Sequence, residues 1–373
     1  MLRSAMRTKL SFARSNLSTK VLGSKRRTTK VNDWEQSLRI LLEAEYKKPH
    51  SNSILLSVQS GDGRIKFEGA VGEGTYDSPY FIASISKMFT ATVIMQLVDN
   101  GLLDLNDPIG KYLSHLPLND IHVYKNKNYS NDLKIYQLLH QTSGLADYFA
   151  NGLNEDFKKN QDRSYSVEDV IALIRRRSPF AAPDSGKSHY SDTNYQLLGA
   201  LIEVVTELTL ADVFKERIFN PMEMADTYLY DHERPPVVEP LPFYYKNNQL
   251  RLPLAMTSER GAGGAVSTMA DSHRFLRAYF DGKLFNKAHF EQMTNWNRMF
   301  FPMHYGYGLW RFQLPRWLTL FRKMPEFIGH AGANGAMAFY NPDKDVYITG
   351  TLNQLDDPAR QFKFMPKVVS AID

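Results

Sequence analysis

Cysteine is absent from all 373 residues, which excludes disulfides, thiolate nucleophiles and cysteine-bound zinc or iron–sulfur centres. No window approaches the ~18 uncharged apolar residues that a membrane-spanning helix needs, so an integral membrane protein is not expected. Internal repeats are missing, as are a Gly-x-Ser-x-Gly elbow and any His-Glu-x-x-His or His-x-His cluster. An α/β-hydrolase and a histidine-based metal site are therefore disfavoured. Gly186-Lys187-Ser188 is similar to the end of a phosphate-binding loop, but Ala181 stands where that pattern starts with glycine.

Acidic residues are missing from residues 1–32, a stretch holding Arg3, Arg7, Lys9, Arg14, Lys20, Lys25, Arg26, Arg27 and Lys30. Removing these nine charges from a net +5 leaves residues 33–373 at −4. The basic pI of about 9.0 thus belongs to the tail, and no nucleic-acid surface is expected on the main domain. Composition leaves three readings of residues 1–32 open: a disordered basic arm, an organellar transit peptide, or a nucleic-acid or membrane tether. The stretch lacks the apolar core and small-residue cleavage site of a secretory signal. A cytoplasmic location is the expectation, with organellar targeting by the basic N-terminus as its rival.

With 43% hydrophobic and 23% charged residues, the chain reads as globular and long enough to bury a large core. Helical periodicity runs from Asp33 to Tyr46, and Ser53–Gln59 and Arg64–Val71 read as strands joined through Ser60-Gly61-Asp62-Gly63. Residues 101–254 change to helices and loops. Asp104–Pro108 suggests a helix start, Leu133–His140 a short helix, Ser166–Asp169 a capping box, and Tyr195–Val213 one helix. Arg234–Leu252, rich in proline and tyrosine, reads as a surface excursion. A helix near Asp271–Phe280, a hairpin over Gly335–Tyr340 and Val346–Leu352, and a helix over Phe362–Ala371 close the chain. The expected fold class is α+β. An antiparallel sheet lobe from about 33–100 and 255–373 is flanked by helices, with a mainly helical lobe, about 101–254, inserted.

The stretch with most chemical content is Phe81-Ile82-Ala83-Ser84-Ile85-Ser86-Lys87, at the head of an apolar run that carries no charge before Asp99. Ser84 is the only serine with lysine three residues on. Helical spacing brings the two onto one face, where a lysine enclosed by apolar neighbours could act as base toward the hydroxyl. Taken alone, the pair reads more readily as a helix cap beside a solvated lysine.

Tyr190-Ser191-Asp192, before a helical pattern, and His330-Ala331-Gly332, placed at the head of a strand, extend this pair. In this order the chain resembles the serine β-lactamase and penicillin-binding-protein superfamily, nearest to class C β-lactamases, D-peptidases and esterases of that fold, over roughly residues 33–373. Leu139–Leu145, Gly261-Ala262-Gly263-Gly264 and Tyr305-Gly306-Tyr307-Gly308 supply similar context. The resemblance implies an acyl-enzyme on Ser84, proton removal shared by Lys87 and Tyr190, and a hydrogen bond or charge from His330. It also implies an oxyanion hole from the backbone N–H groups of Ser84 and Ala333, with Asp192 and Gly332 in support. A phenol works as a base only where positive charge stabilises its phenolate. No cofactor and no metal are implied.

Two departures from the family pattern refine this. Asp192 stands where asparagine is usual, and a carboxylate beside Lys87 favours its charged form and shifts base duty toward Tyr190. Ala331 replaces a hydroxyl residue that helps hold a substrate carboxylate, which disfavours β-lactams and D-Ala-D-Ala peptides relative to esters. The expectation is a metal-independent serine hydrolase of a small ester, amide or peptide, esterase-type first. A D-peptidase or β-lactamase and a catalytically silent binding or assembly protein are its rivals.

Overall fold

The computed structural model describes residues 33–313 and 324–372. The basic segment 1–32 lies outside the described residues. Eight antiparallel strands form the main sheet: β1 (Ser53–Ser60), β2 (Lys66–Gly72), β3 (Asn297–Phe300), β4 (Met303–Tyr305), β5 (Trp310–Phe312), β6 (Phe327–Ala331), β7 (Ala336–Asn341) and β8 (Val346–Thr351). Their spatial order is β3-β4-β5-β6-β7-β8-β1-β2. The N-terminal hairpin therefore joins the C-terminal strands directly, with Val58 facing Ile348 across β1 and β8.

Side-chain alternation sorts each central strand between two cores. Ile54, Leu56, Val58, Met337, Phe339 and Ile348 pack in one cluster with Leu38 and Leu42 of the Asp33–Tyr46 helix and Phe364 and Val368 of the Arg360–Ala371 helix. Leu55, Ala338 and Tyr347 turn the other way, toward Phe275 and Leu276 of the Met269–Phe280 helix. Strands covered on both faces lose the polar alternation of a half-exposed sheet, and β1 accordingly runs Ile54-Leu55-Leu56 and buries Ser53, Ser57 and Ser60 as well.

The Ser86–Asp99 helix lies deep in the second core. Eleven of its residues are buried, and Phe89 packs edge-on against Phe214, Phe219 and Phe275 at 6.0, 5.3 and 4.6 Å between centroids. The close passage of the Gly261 backbone is sterically required: a Cβ there would lie 2.8 Å from Thr90 Oγ1, whose hydroxyl donates to the Gly261 carbonyl at 2.8 Å.

Several sequence expectations need correction. The Tyr195–Val213 pattern is two helices, Asp192–Thr206 and Leu210–Phe214, because Glu207 takes a left-handed conformation with φ 58° and ends the first. Asp104–Pro108 starts no helix beyond the single 3₁₀ turn Ile109–Lys111. Residues 297–312 add three strands to the sheet. His330 stands near the end of β6, not at its head. The capping box at Ser166 is present, with Ser166 Oγ accepting from the Asp169 N–H at 3.2 Å and Asp169 Oδ2 accepting from the Ser166 N–H at 2.9 Å. No helix among the described residues is long and apolar enough to cross a membrane.

Candidate active site

Ser84 occupies a 3₁₀ turn, Ala83–Ile85, that leads into the Ser86–Asp99 helix. Ala83 before it has φ 48°, a conformation a β-carbon disfavours, so the surroundings must hold it there. Ser86 does so: its hydroxyl donates to the Ala83 carbonyl at 2.7 Å and accepts from the Ala265 N–H at 3.1 Å. The Ile82 N–H is also bonded, to the Ala265 carbonyl at 3.0 Å.

Lys87 is fully buried, which removes the solvated-lysine reading. Its Nζ donates to Ser84 Oγ at 3.0 Å and to the Ala262 carbonyl at 2.5 Å, and it forms an ion pair with Asp192. Two hydrogen-bond acceptors and a carboxylate around one nitrogen are surroundings that suit an ammonium. Asp192 is the first residue of the Asp192–Thr206 helix, and the same ammonium lies 5.2 Å from the Tyr190 ring centroid.

Tyr190 hydrogen-bonds Ser84, and that bond favours its phenolate. Burial and the nearby Asp192 carboxylate outweigh it and push the phenol well above its ordinary value. The expectation that Lys87 lowers the Tyr190 phenol is therefore not met at rest. The ammonium sits over the ring and is already neutralised by Asp192. The Tyr190 ring is braced edge-on by Tyr305 and Trp310, with centroids 5.9 and 5.7 Å away.

His330 is fully buried and, through burial and the Lys87 charge, pushed down to about 3. It is neutral, which corrects the possibility that it supplies a charge. Its Nδ1 lies 2.9 Å from the Ala331 carbonyl, so Nδ1 carries the proton and Nε2 accepts, 3.3 Å from the Tyr305 hydroxyl. The histidine holds Tyr305, and Tyr305 holds Tyr190.

Ser84, Asp192 and Ala333 line one pocket, whose remaining wall is mostly Phe81, Phe149, Phe157, Phe243 and Met256. Gly332 brings the Ala333 turn against the Ser84 turn; a Cβ on Gly332 would lie 2.9 Å from the Ile82 carbonyl. Asn334 fixes the same turn by donating to the Phe81 carbonyl at 2.7 Å.

Two acids that sequence reasoning passed over shape the electrostatics. Glu259 lines the pocket and accepts from the Tyr148 hydroxyl at 3.1 Å and from the Tyr165 hydroxyl. Asp147 accepts from the Asp192, Phe149 and Ala150 N–H groups at 3.0, 3.2 and 3.1 Å. Burial first, and then repulsion from Asp192, pushes both up to about 7. Single acids carry no pattern; the only hint was that Glu259 stands just before the glycine cluster. Likewise Tyr305 opens the Tyr305–Gly308 stretch. Among the described residues no group of three or more His, Asp or Glu side chains is arranged to hold a metal ion.

The arrangement sets a serine hydroxyl beside a buried lysine in a pocket walled by apolar side chains and acids, and residues 58–365 match the family model described as Beta-lactamase. The chain belongs to the Beta-lactamase family. Members and structural neighbours of this family include hydrolases of ester and amide bonds. The chain is 30% identical over 209 residues to Penicillin-binding protein 4* of Bacillus subtilis, covering 53% of this chain and 42% of that protein. It is 26% identical over 267 residues to the teichoic acid D-alanine hydrolase of Staphylococcus aureus, covering 68% of this chain and 59% of that one. The matches thus span about half the length of these curated relatives. Among solved structures, a D-stereospecific amidohydrolase from Streptomyces sp. superposes with TM-score 0.74 at 25% identity, covering 90% of this chain and 98% of that one. The fold is accordingly that of the β-lactamase and transpeptidase group.

Proposed function

We propose that this protein is a serine hydrolase that cleaves an ester or amide bond through an acyl-enzyme on Ser84, with neutral esters as its preferred substrates. The observation that carries this reading is the contact of Lys87 Nζ with Ser84 Oγ at 3.0 Å inside a buried ion pair. Burying a lysine and an aspartate costs several kcal/mol per ion unless geometry repays it, and here the lysine of the pair is aimed at one hydroxyl. In molecules whose Tyr190 is ionised, Ser84 Oγ attacks the carbonyl carbon while its proton passes to the Tyr190 phenolate, which hands it on to the leaving group. The N–H groups of Ser84 and Ala333 hold the oxyanion, and the leaving group departs with a proton. Water, deprotonated by the same tyrosine, then releases the acyl group as a carboxylic acid and restores Ser84.

Charge supports the preference for neutral esters. Lys87 is matched by Asp192, so Glu259 is left without a cationic partner in a pocket where, among the described lining residues, none is Lys or Arg. Once ionised, one such acid at ~5 Å and an effective dielectric of ~20 would repel a substrate carboxylate by about 3 kcal/mol, roughly a hundredfold in affinity. The methyl of Ala331 offers no compensating donor. The same acids favour a second reading: the amide of an amine-bearing D-amino acid, in line with the names of the Streptomyces and Staphylococcus relatives.

Two measurements test this. A fluorophosphonate probe followed by peptide mapping should place the adduct on Ser84; folded protein with no adduct there would sink the hydrolase reading. Turnover should rank p-nitrophenyl acetate and butyrate above D-alanine p-nitroanilide, with nitrocefin and a D-Ala-D-Ala peptide lowest. Rapid nitrocefin or peptide turnover with negligible ester cleavage reverses the ranking.

The pH profile follows from Tyr190, which faces Ser84, Lys87, Asp192, Asp147 and Tyr195. A base whose proton is held tightly is mostly unavailable at neutral pH, and its free fraction grows tenfold per pH unit below its pKa. Ester kcat/KM should therefore rise from pH 6 to pH 9 without a plateau. The ionisation of Glu259 and Asp147 near pH 7 adds an inflection on the way. A profile flat across that range would remove Tyr190 as the base.

A further inference from the structure

The Ser84 pocket is small. Its free space is about 60 Å³, enough for about four water molecules. Across the wall formed by Phe81, Phe243 and Met256 lies a second cavity of about 400 Å³, within the size range of small-molecule sites. Those three side chains line both spaces, so the two are contiguous. The far side of the larger cavity is made by Tyr230, Pro240, Pro242, Leu250, Leu252 and Pro253, with the exposed Glu239, Gln249 and Arg251 along its edge.

This cavity is built, not left over between loops. Phe81 packs edge-on against both Tyr230 and Phe243, with centroids 5.0 and 5.6 Å away. The 240–252 stretch is held to the rest of the fold by backbone and side-chain bonds. The Leu241 N–H donates to the Pro79 carbonyl at 2.8 Å, Asn353 Nδ2 to the Pro242 carbonyl at 2.6 Å, and the Leu355 N–H to the Tyr244 carbonyl at 2.8 Å. The Leu250 N–H donates to the Phe243 carbonyl at 2.9 Å, which closes the hairpin of Tyr244–Tyr245 and Asn248–Gln249. Prolines 240, 242 and 253 fix three more backbone torsions. A pre-formed apolar space loses little ordering entropy when a ligand fills it.

We infer that the cavity is a second substrate subsite, and that the substrate is bipartite: one small group beside Ser84 and one large apolar or aromatic arm under Phe81, Phe243 and Leu250. The inference rests on the hydrolase reading for its chemistry. An arm carried on the acyl group or on the leaving group meets the same apolar walls. Burying apolar surface at ~25 cal/mol per Å², or ~0.8 kcal/mol per methylene, makes four extra methylenes worth about 3 kcal/mol, roughly a hundredfold in kcat/KM when fully enclosed.

Two substrate series read the arm separately. One lengthens the acyl chain from p-nitrophenyl acetate to butyrate to octanoate. The other enlarges the leaving group from phenyl acetate to 2-naphthyl acetate, whose phenols have similar acidity. At least one series should rise tenfold or more in kcat/KM. Gln249→Trp, which adds bulk from the exposed rim, and Leu250→Phe, which adds it from the wall, should each cut that rise at least fivefold in protein with unchanged circular dichroism. Two flat series overturn the proposal, and so does a preference that both folded variants leave unchanged. The failure of the hydrolase reading shows itself differently, as absent Ser84 labelling and no turnover of any ester. In that event saturable 2-naphthol binding, followed by its fluorescence and weakened in both variants, still supports the cavity, and no saturable binding overturns it.

Discussion

Ser84→Ala is expected to lower ester kcat/KM by about a thousandfold or more and to abolish fluorophosphonate labelling, with little change in folding. Removing a nucleophile leaves only the binding and oxyanion contributions, and losses of this size follow when a covalent step disappears. The structural cost is small, since Ser84 is only partly buried and the exchange forfeits its hydrogen bonds with Lys87 and Tyr190, worth about 1 kcal/mol each. The nearby serine cannot stand in. Ser86 is fully buried, donates to the Ala83 carbonyl and accepts from the Ala265 N–H, so its lone pairs and proton are committed. Steady-state kinetics with p-nitrophenyl acetate decides the matter: a variant within tenfold of the parent would place the chemistry elsewhere.

Lys87→Met should be as damaging to activity and, unlike the serine change, should also destabilise the fold. Methionine keeps the length of the side chain and removes the charge. Asp192 is then a buried carboxylate with no cation beside it, and Asp147 and Glu259 sit close enough to raise its energy further. Breaking a buried pair from one side costs about 3–5 kcal/mol. Adding Asp192→Asn removes the stranded charge, so the double variant should recover most of that loss in urea or thermal unfolding while remaining about a thousandfold less active than the parent. A double-mutant cycle over the four proteins measures the coupling. If the double variant is no more stable than Lys87→Met alone, the ion pair is not what sets the energetics of the site. If Lys87→Met keeps more than a tenth of the activity, Lys87 has no part in proton handling.

Local pattern carried a large share of the fold. The first and last helices, both flanking hairpins and the helix behind Ser84 were legible, because each has a long apolar period or a run bounded by turn residues. Strands β3 to β5 were not. They are three or four residues long, and a period of two cannot be recognised over so short a run; only their pairing with β6 makes them strands. The break at Glu207 escaped for a similar reason, since one left-handed residue leaves no mark in an otherwise helical composition. The 234–252 stretch was legible as irregular. Its service as the wall of a cavity beside Ser84 depends on bonds to Pro79, Asn353 and Leu355, which lie more than a hundred residues away in either direction.

Within the site, the sequence by itself determined that Ser84 and Lys87 would meet, because three residues at a helix start place two side chains on one face whatever the rest of the chain does. It also placed Tyr190, Asp192 and His330 in the same cleft by family order. Tertiary structure alone decided the charge each one carries. Lys87 is held as an ammonium by Ala262 and Asp192, Tyr190 as a phenol by burial and a nearby carboxylate, and His330 as a neutral ring by burial beside that ammonium. Protonation answers to solvent exclusion and to charges within a few ångströms: the carboxylate beside Lys87 comes from Asp192, 105 positions away, and the charge beside His330 from Lys87, 243 positions away.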